Sequence, residues 1–448
     1  MTSPPPPPSP STRNIAWIVI VSLLAAVVLA LVLVILVVPG ARENVIAAAV
    51  LFAFAAGAAL LAGLSARRSD QPQRWARTVA GGLAVAGALL AMWPGVVATE
   101  AIAWIAPVLL LALALWMTIR VRRELHSRIR IWLVYPVLAV VAVAAVAAGY
   151  ETGREALERG TPPAAGRLIE VGGGRRMYLS CTGSGAPVVV LVPGHGGFSS
   201  TMSWIAPAVA RDTRVCVYDR AGRGWSDPAP NQQDGTAVAA DLAVLLAAAH
   251  EAPPYLLAGH SFGGLYVRAF AARYPERTAG LVLLDATDPK MFTRIPAYPG
   301  FYWFFSRVSA LFPSLARFGL VRLVNQHASD SLPSESRPAT QVALATARLA
   351  RSQRDEFAAA PLAMEQAGSL ASLGDRPLLV VTALKDAMDG WTTVQDELPR
   401  LSTNSSHWII PTATHASLVE YQTEAAFSSQ AIREVVAAVR TSAPVARH

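Results

Sequence analysis

Lysine is nearly missing from this chain: of 448 residues, only Lys290 and Lys385 carry an ammonium side chain. The other basic residues are arginines, a bias read as genome composition and not as function. Cysteine is as scarce, with Cys181 and Cys216 alone, so at most one internal bridge can form. Charged residues make up 15% of the chain, against 53% apolar residues and a mean hydropathy of +0.39. So little charge excludes a disordered chain, and so much apolar content exceeds that of an ordinary soluble enzyme. The length leaves room for two or three domains.

What charge there is has a telling distribution. The formal net charge is +8 and the pI about 9.9, which invites a nucleic-acid partner. Residues 1–150, however, hold eleven arginines, no lysine and four acids, whereas residues 151–448 hold 27 basic and 26 acidic side chains. The basicity belongs to the apolar third, and the near-neutral remainder offers no electrostatic case for nucleic acid.

Residues 1–14 read as a disordered Pro-rich tail. Residues 15–38 are an uncharged apolar run, long enough at about 1.5 Å per residue to cross about 30 Å of hydrocarbon. The run is too long for a signal peptide, and further runs follow at 45–64, 79–98, 101–119 and 131–149. The expectation is a transmembrane region over 15–149 with five helices, four or six being the alternatives. Arg67, Arg68, Arg74 and Arg77 crowd one loop, and Arg120, Arg122, Arg123, Arg128 and Arg130 another, while the other short loops hold only Arg42. Cytoplasmic loops collect arginine. Five spans therefore place the tail in the cytoplasm and everything beyond residue 149 outside it, in a multi-pass protein of a bacterial cell membrane. No Asp, Glu, Lys or His falls at mid-span, which disfavours a transport path. Gly57, Gly63, Gly82 and Gly87 have the spacing of close helix packing, or are simply part of Ala/Gly-rich spans.

Residues 150–166 read as a linker. Beyond them, short β-branched runs alternate with helical stretches. Strands are expected at 167–171, 176–181, 188–192, 214–218, 255–258, 281–284, 378–381 and 407–410, with helices at 203–210, 235–250 and 262–274. Such alternation implies a mostly parallel sheet covered on both faces.

Gly259-His260-Ser261-Phe262-Gly263 matches G-x-S-x-G between a strand and a helix, the setting of a nucleophile elbow. Ser261 is the candidate nucleophile. A serine hydroxyl needs a base, and the base an orienting acid. Of eight histidines, His415 alone lies in a loop after the last strand, where a base would overhang the serine. Asp386, in the turn after strand 378–381, is the expected acid. Asp389 and Asp285 remain alternatives, Asp285 having the plainer role of capping the next segment. The oxyanion needs two backbone amides: Phe262, and one from the glycine-rich run 194–198, with Gly197 chosen over Gly196 and Phe198.

With these residues in place, the chain from about 167 to 440 resembles the α/β-hydrolase superfamily. The stretches that carry the likeness are VVVLVPGHGGFSSTMSW, RVCVYDRAGRGWSD, YLLAGHSFGGLYVRAFAARYPERTAGLVLLD, RPLLVVTALKD and IIPTATHASL. The resemblance implies an eight-stranded sheet, a triad of Ser261, Asp386 and His415, and ester-type hydrolysis with no metal or cofactor. Epoxide hydrolases and haloalkane dehalogenases of the superfamily use Asp at the elbow, so Ser261 points to acyl transfer. One departure is the acid loop, Ala383-Leu384-Lys385-Asp386, where a glycine-containing turn is commoner. The superfamily's strand order also sets the second strand beside the fourth, which implies a Cys181–Cys216 disulfide, against the plainer reading of two buried thiols. Residues 286–375 occupy the place of a cap. Tyr298, Phe301, Tyr302, Trp303, Phe304, Phe305, Phe312 and Phe318 in it suggest an apolar acyl pocket, a face against the bilayer, or plain cap core.

The expected molecule is thus a membrane-anchored serine hydrolase acting on small or lipid-like carboxylic esters, with the bilayer as its partner. An acyltransferase, an aminopeptidase, a membrane sensor with a relic hydrolase domain and a transporter with an accessory domain are the competing readings.

Overall fold

The computed structural model describes residues 12–93, 95–159, 163, 165–229 and 233–446. Most of the expected Pro-rich tail, residues 1–11, lies outside them. The described chain divides into two units, one reaching Arg154 and joined by Arg317–Gly319, the other formed by the rest.

The first unit is helical: α1 Thr12–Val32, α2 Glu43–Arg68, α3 Ala76–Met92, α4 Val96–Glu124 and α5 Tyr135–Arg159. Five helices form where five spans were expected, but among the described residues only four apolar helical stretches are long enough to cross a membrane: Ile15–Val37, Glu43–Arg68, Thr99–Glu124 and Arg130–Arg159. Helix α3, at 17 residues, falls short of that length. The apolar run 79–98 is broken near Gly95, whose φ of 140° no helix accommodates. Close packing uses some of the expected glycines. A methyl on Gly57 would lie 2.6 Å from Ala26 Cβ, and one on Gly87 would lie 3.2 Å from the Phe52 ring, whereas Gly63 and Gly82 face open space. The expected linker begins as helix, because Glu155-Ala156-Leu157-Glu158-Arg159 are strong helix formers and carry α5 on to Arg159.

The second unit carries β1 Arg167–Glu170, β2 Arg176–Thr182, β3 Val188–Val192, β4 Val215–Tyr218, β5 Tyr255–His260, β6 Thr278–Leu284, β7 Leu378–Ala383 and β8 Ser405–Ile410. They form one sheet in the order β1-β2-β4-β3-β5-β6-β7-β8. β1 and β2 run antiparallel to their neighbours, and every pairing from β4 to β8 is parallel. The helices are α6 Ile205–Val209, α7 Gly235–Ala248, α8 Phe262–Arg273, then the cap helices α9 Met291–Arg294, α10 Tyr298–Val308, α11 Phe312–Arg317, α12 Leu320–Val324, α13 Arg337–Leu344 and α14 Ala347–Gly368, and finally α15 Trp391–Gln395, α16 Ser417–Glu420 and α17 Gln422–Thr441.

Strand alternation divides the core in two. Val188, Val190 and Val192 join Leu257, Leu265 and Phe270 on one face, and Val189 and Leu191 join Leu256, Val282 and Ile432 on the other. Because both faces are covered, the central strands are continuously apolar, as a parallel sheet requires. The parallel arrangement also brings the carboxyl ends of β3, β5, β6 and β7 to one edge, where loops from several strands meet.

Cys181 and Cys216 are partners in the β2–β4 register and are joined as a disulfide. The bridge closes a stretch of 35 residues, for which loop entropy gives a stabilisation of about 3–4 kcal/mol. Replacing both cysteines by serine is expected to lower the thermal midpoint of the solubilised protein. Non-reducing mass spectrometry is expected to find no free thiol, and two free thiols would refute the pairing.

Candidate active site

The turn between β5 and α8 holds Ser261 at φ 54° and ψ −124°, a conformation a residue with a Cβ adopts only under constraint. Its surroundings supply the constraint. The Ser261 amide donates to the Leu284 carbonyl (3.1 Å), and its own carbonyl accepts from Gly264 (2.9 Å) and Thr287 (3.0 Å). The neighbouring glycines are forced: a methyl on Gly259 would press on the Gly263 carbonyl, and one on Gly263 would run into the carbonyl of Val192. Ser261 sits at the head of α8, where the helix dipole favours negative charge.

His415 follows β8, as expected, but its partner is a different acid. His415 Nδ1 lies 2.6 Å from Asp285 Oδ2. Asp285 stands one residue past β6 with φ 42°, and only 2% of it is exposed. Its other oxygen, Oδ1, accepts from the Ala383 amide (3.0 Å) and from Trp391 Nε1 (2.8 Å). The same indole stands edge-on to the His415 ring, with centroids 6.1 Å apart. The carboxylate is therefore fixed by three donors and buried. The expected Asp386 is exposed, at φ 63° in a turn whose backbone is tied elsewhere: Leu384 donates to Ile410 and Lys385 to Ala413. Nothing among the described residues joins Asp386 or Asp389 to His415. The correction is to Asp285, and the order Ser, acid, His along the chain is kept.

His260 holds the His415 backbone. Its Nε2–H donates to the His415 carbonyl (2.9 Å), and the two rings lie 4.7 Å apart. Burial, reinforced by the facing His415, pushes the His260 imidazole down to about 3, so it stays neutral.

The oxyanion donors are corrected in part. Phe262, at the first position of α8, has no acceptor for its amide among the described residues, as an oxyanion donor requires. The Gly197 amide is already used, donating to the Gly194 carbonyl at 3.0 Å in a tight turn. His195 is better placed. Its amide has no protein acceptor among the described residues, and the preceding Gly194 passes so close that a methyl there would lie 2.8 Å from Ser261 Cβ.

An apolar wall stands beside this loop. Phe357 of α14 stacks on Phe262 (6.2 Å) and Tyr302 (5.1 Å), and meets His195 (5.5 Å), Phe301 (6.2 Å) and Phe305 (5.5 Å). Three of the eight expected cap aromatics, Phe301, Tyr302 and Phe305, thus converge on a residue that sequence reasoning passed over, while Trp303 and Phe304 are exposed. The one grouping of metal-type ligands among the described residues, Cys181, Cys216 and Glu251, has both sulfurs in the disulfide and its carboxylate on Arg214 (2.7 Å).

A family model described as the alpha/beta hydrolase fold matches residues 187–421. A 2-hydroxymuconate semialdehyde hydrolase from Pseudomonas sp. (strain CF600) is 34% identical over 126 residues, 28% of this chain and 44% of its own. A pyrrolizixenacetamide deacetylase from Xenorhabdus hominickii is 35% identical over 120 residues, 26% of this chain and 44% of its own. The chain thus spans less than half the length of these curated relatives. Among solved structures, a chain titled DBJA superposes with a TM-score of 0.51 at 17% identity, covering 62% of this chain and 99% of that one.

The paired acids separate cleanly by substitution. Asp285→Asn is expected to cut the rate at which Ser261 reacts with an alkyl fluorophosphonate by about 10³–10⁴-fold, because an amide at that position favours the wrong imidazole tautomer. Asp386→Asn is expected to leave the rate within about 3-fold, as suits an exposed turn residue. The reverse ranking would restore Asp386.

Proposed function

Because the chain belongs to the alpha/beta hydrolase fold family, we propose that it is a membrane-anchored serine hydrolase that cleaves carboxylic esters, small or lipid-like, through an acyl-enzyme. The observation that carries this reading is the 2.6 Å contact between His415 and the buried Asp285, beside a serine held in a strained turn. Donation from His415 Nδ1 to the Asp285 carboxylate leaves Nε2 as the acceptor, the tautomer a general base needs.

In this mechanism Ser261 Oγ attacks the ester carbonyl as its proton passes to His415 Nε2. The carbonyl oxygen becomes an oxyanion held by the amides of Phe262 and His195. Collapse expels the alcohol, which takes the proton from His415 and leaves an acyl-Ser261 ester. Water, deprotonated by His415, attacks that ester. The second collapse releases the carboxylic acid and returns the proton to Ser261. The aromatic wall around Phe357 suits an apolar acyl chain.

The proposed orientation sets this unit outside the cytoplasm. Two features support it. A structural disulfide persists in an oxidising compartment. The helix ending at Glu124 is long and apolar enough to cross, so the arginine-rich loops on either side of α3 and α4 share one face of the membrane only when α3 crosses too, which favours five crossings with α3 a short one. An alkaline phosphatase fused after residue 160 is then expected to be active, and a silent fusion would reverse the orientation.

The catalytic reading is tested on detergent-solubilised full-length protein. A fluorophosphonate probe is expected to label the native chain and not Ser261→Ala. The same substitution should lower hydrolysis of p-nitrophenyl esters by at least about 10³-fold. A native chain that takes no label would refute the proposal. A series of esters of graded acyl length then reads the depth of the pocket.

A further inference from the structure

One buried cluster near the site takes no part in the chemistry described above. Glu356, on cap helix α14, is 3% exposed and lies between Arg220 and Arg223, which are 3% and 1% exposed. Arg220 Nη2 is 2.9 Å from Glu356 Oε1, and Arg223 Nη2 pairs with Oε2. Tyr266 donates its hydroxyl to Oε1 (2.8 Å), and His195 Nδ1 lies 2.8 Å from Oε2. Burial alone would push the Glu356 carboxyl up, but the two guanidiniums outweigh it and hold the group well below the usual carboxylate range.

Arg223 Nε donates to Ser352 Oγ on α14 (3.2 Å), and the other Nη donations of the two arginines go to one loop. Arg220 donates to the carbonyls of Pro193 (2.6 Å) and Gly194 (2.7 Å), and Arg223 to those of Gly194 (3.4 Å) and Gly197 (3.2 Å). A trans peptide is planar, with its C=O and the following N–H pointing in opposite directions. Guanidiniums that hold the Gly194 carbonyl therefore turn the His195 amide the other way. Gly194 itself passes against Ser261 Cβ.

We propose that Glu356 is a positioning residue for the oxyanion site: it fixes Arg220 and Arg223, and through them aims the His195 amide at the developing negative charge. This rests on the serine-hydrolase reading. Without the Glu356 charge, two buried guanidiniums face each other unneutralised, and their hold on the Pro193, Gly194 and Gly197 carbonyls loosens. The loop would keep its fold but lose its aim. Because Glu356 belongs to the cap, the accuracy of the oxyanion site depends on α14 being seated.

The test measures phosphonylation of Ser261 by an alkyl fluorophosphonate, resolved into kinact and KI, on solubilised full-length protein, with the thermal midpoint recorded for every variant. Glu356→Gln keeps the shape and removes the charge. It is expected to lower kinact by about 10–100-fold, less than the loss of a whole oxyanion donor, with KI little changed. Arg220→Lys, which cannot span both carbonyls, should behave alike, and Glu356→Asp should recover part of the rate. Three results overturn the proposal: a folded Glu356→Gln protein with native kinact, a rise in KI at constant kinact, or losses in all three variants that only track a collapse of the thermal midpoint. A native protein that takes no label refutes the serine-hydrolase reading itself and this inference with it. Labelled native protein with an indifferent Glu356 refutes this inference alone.

Discussion

The site depends on the parallel register of β5 and β6. His260 pairs with Leu284 across that register, so Ser261 and Asp285, the residues just beyond each strand, leave the sheet side by side. Both take positive φ, at 54° and 42°, sparsely populated backbone that costs on the order of 1–3 kcal/mol each for a residue with a side chain. Backbone bonds hold these two strand ends together against that cost, the Ser261 amide to Leu284 and the Thr287 amide to Ser261, while the Asp285 amide ties the end of β6 to Val381 of β7. The same pairing sets the third group, because His260 grips the His415 carbonyl. Base and acid are thus referenced to the residue before the proposed nucleophile and to the strand beside it. A slip of one residue between β5 and β6 would break all three relations at once.

What could be read from the sequence follows from which features are local. The elbow is local: a strand, a pentapeptide with glycines at both ends, and a helix, all visible in 255–273. The acid is not. Asp285, Asp386 and Asp389 all satisfy the order serine, acid, histidine, and all stand near strand ends. They differ in whether the carboxylate is buried and met by donors from other elements, and the Ala383 amide and the Trp391 indole that meet Asp285 are about a hundred residues away in the chain. Gly197 failed for a related reason. A glycine marks where the backbone can approach closely, but whether its N–H is free depends on the turn it makes, and Gly197 spends its amide on Gly194. The disulfide was within reach because the superfamily's strand order places β2 beside β4, and two cysteines leave a single pairing. The length of α3 is not legible in composition: the apolar run continues to residue 98, whereas the helix ends at Met92.

The buried charges are best understood alongside the aromatic wall. Taking a carboxylate and two guanidiniums out of water costs several kcal/mol per ion, and attraction between them often does no more than offset it. A cluster of this kind adds little net stability over apolar packing of the same volume. What apolar packing cannot supply is a set of directed donors, and here those donors converge on three carbonyls of one loop. The adjacent residue on α14, Phe357, meets His195 and Phe262, the two residues whose amides the proposed mechanism uses. One turn of a cap helix thus contributes both the charge proposed to orient the loop and the ring at the centre of the aromatic wall. Glu356 and Phe357 are neighbours on one helix, so whatever fixes the ring in place fixes the carboxylate that completes the arginine pair. On the proposed mechanism, packing against Phe357 and the aim of the His195 amide therefore draw on the same helix turn, so a substrate that leaves Phe357 uncovered should be acylated more slowly as well as bound more weakly.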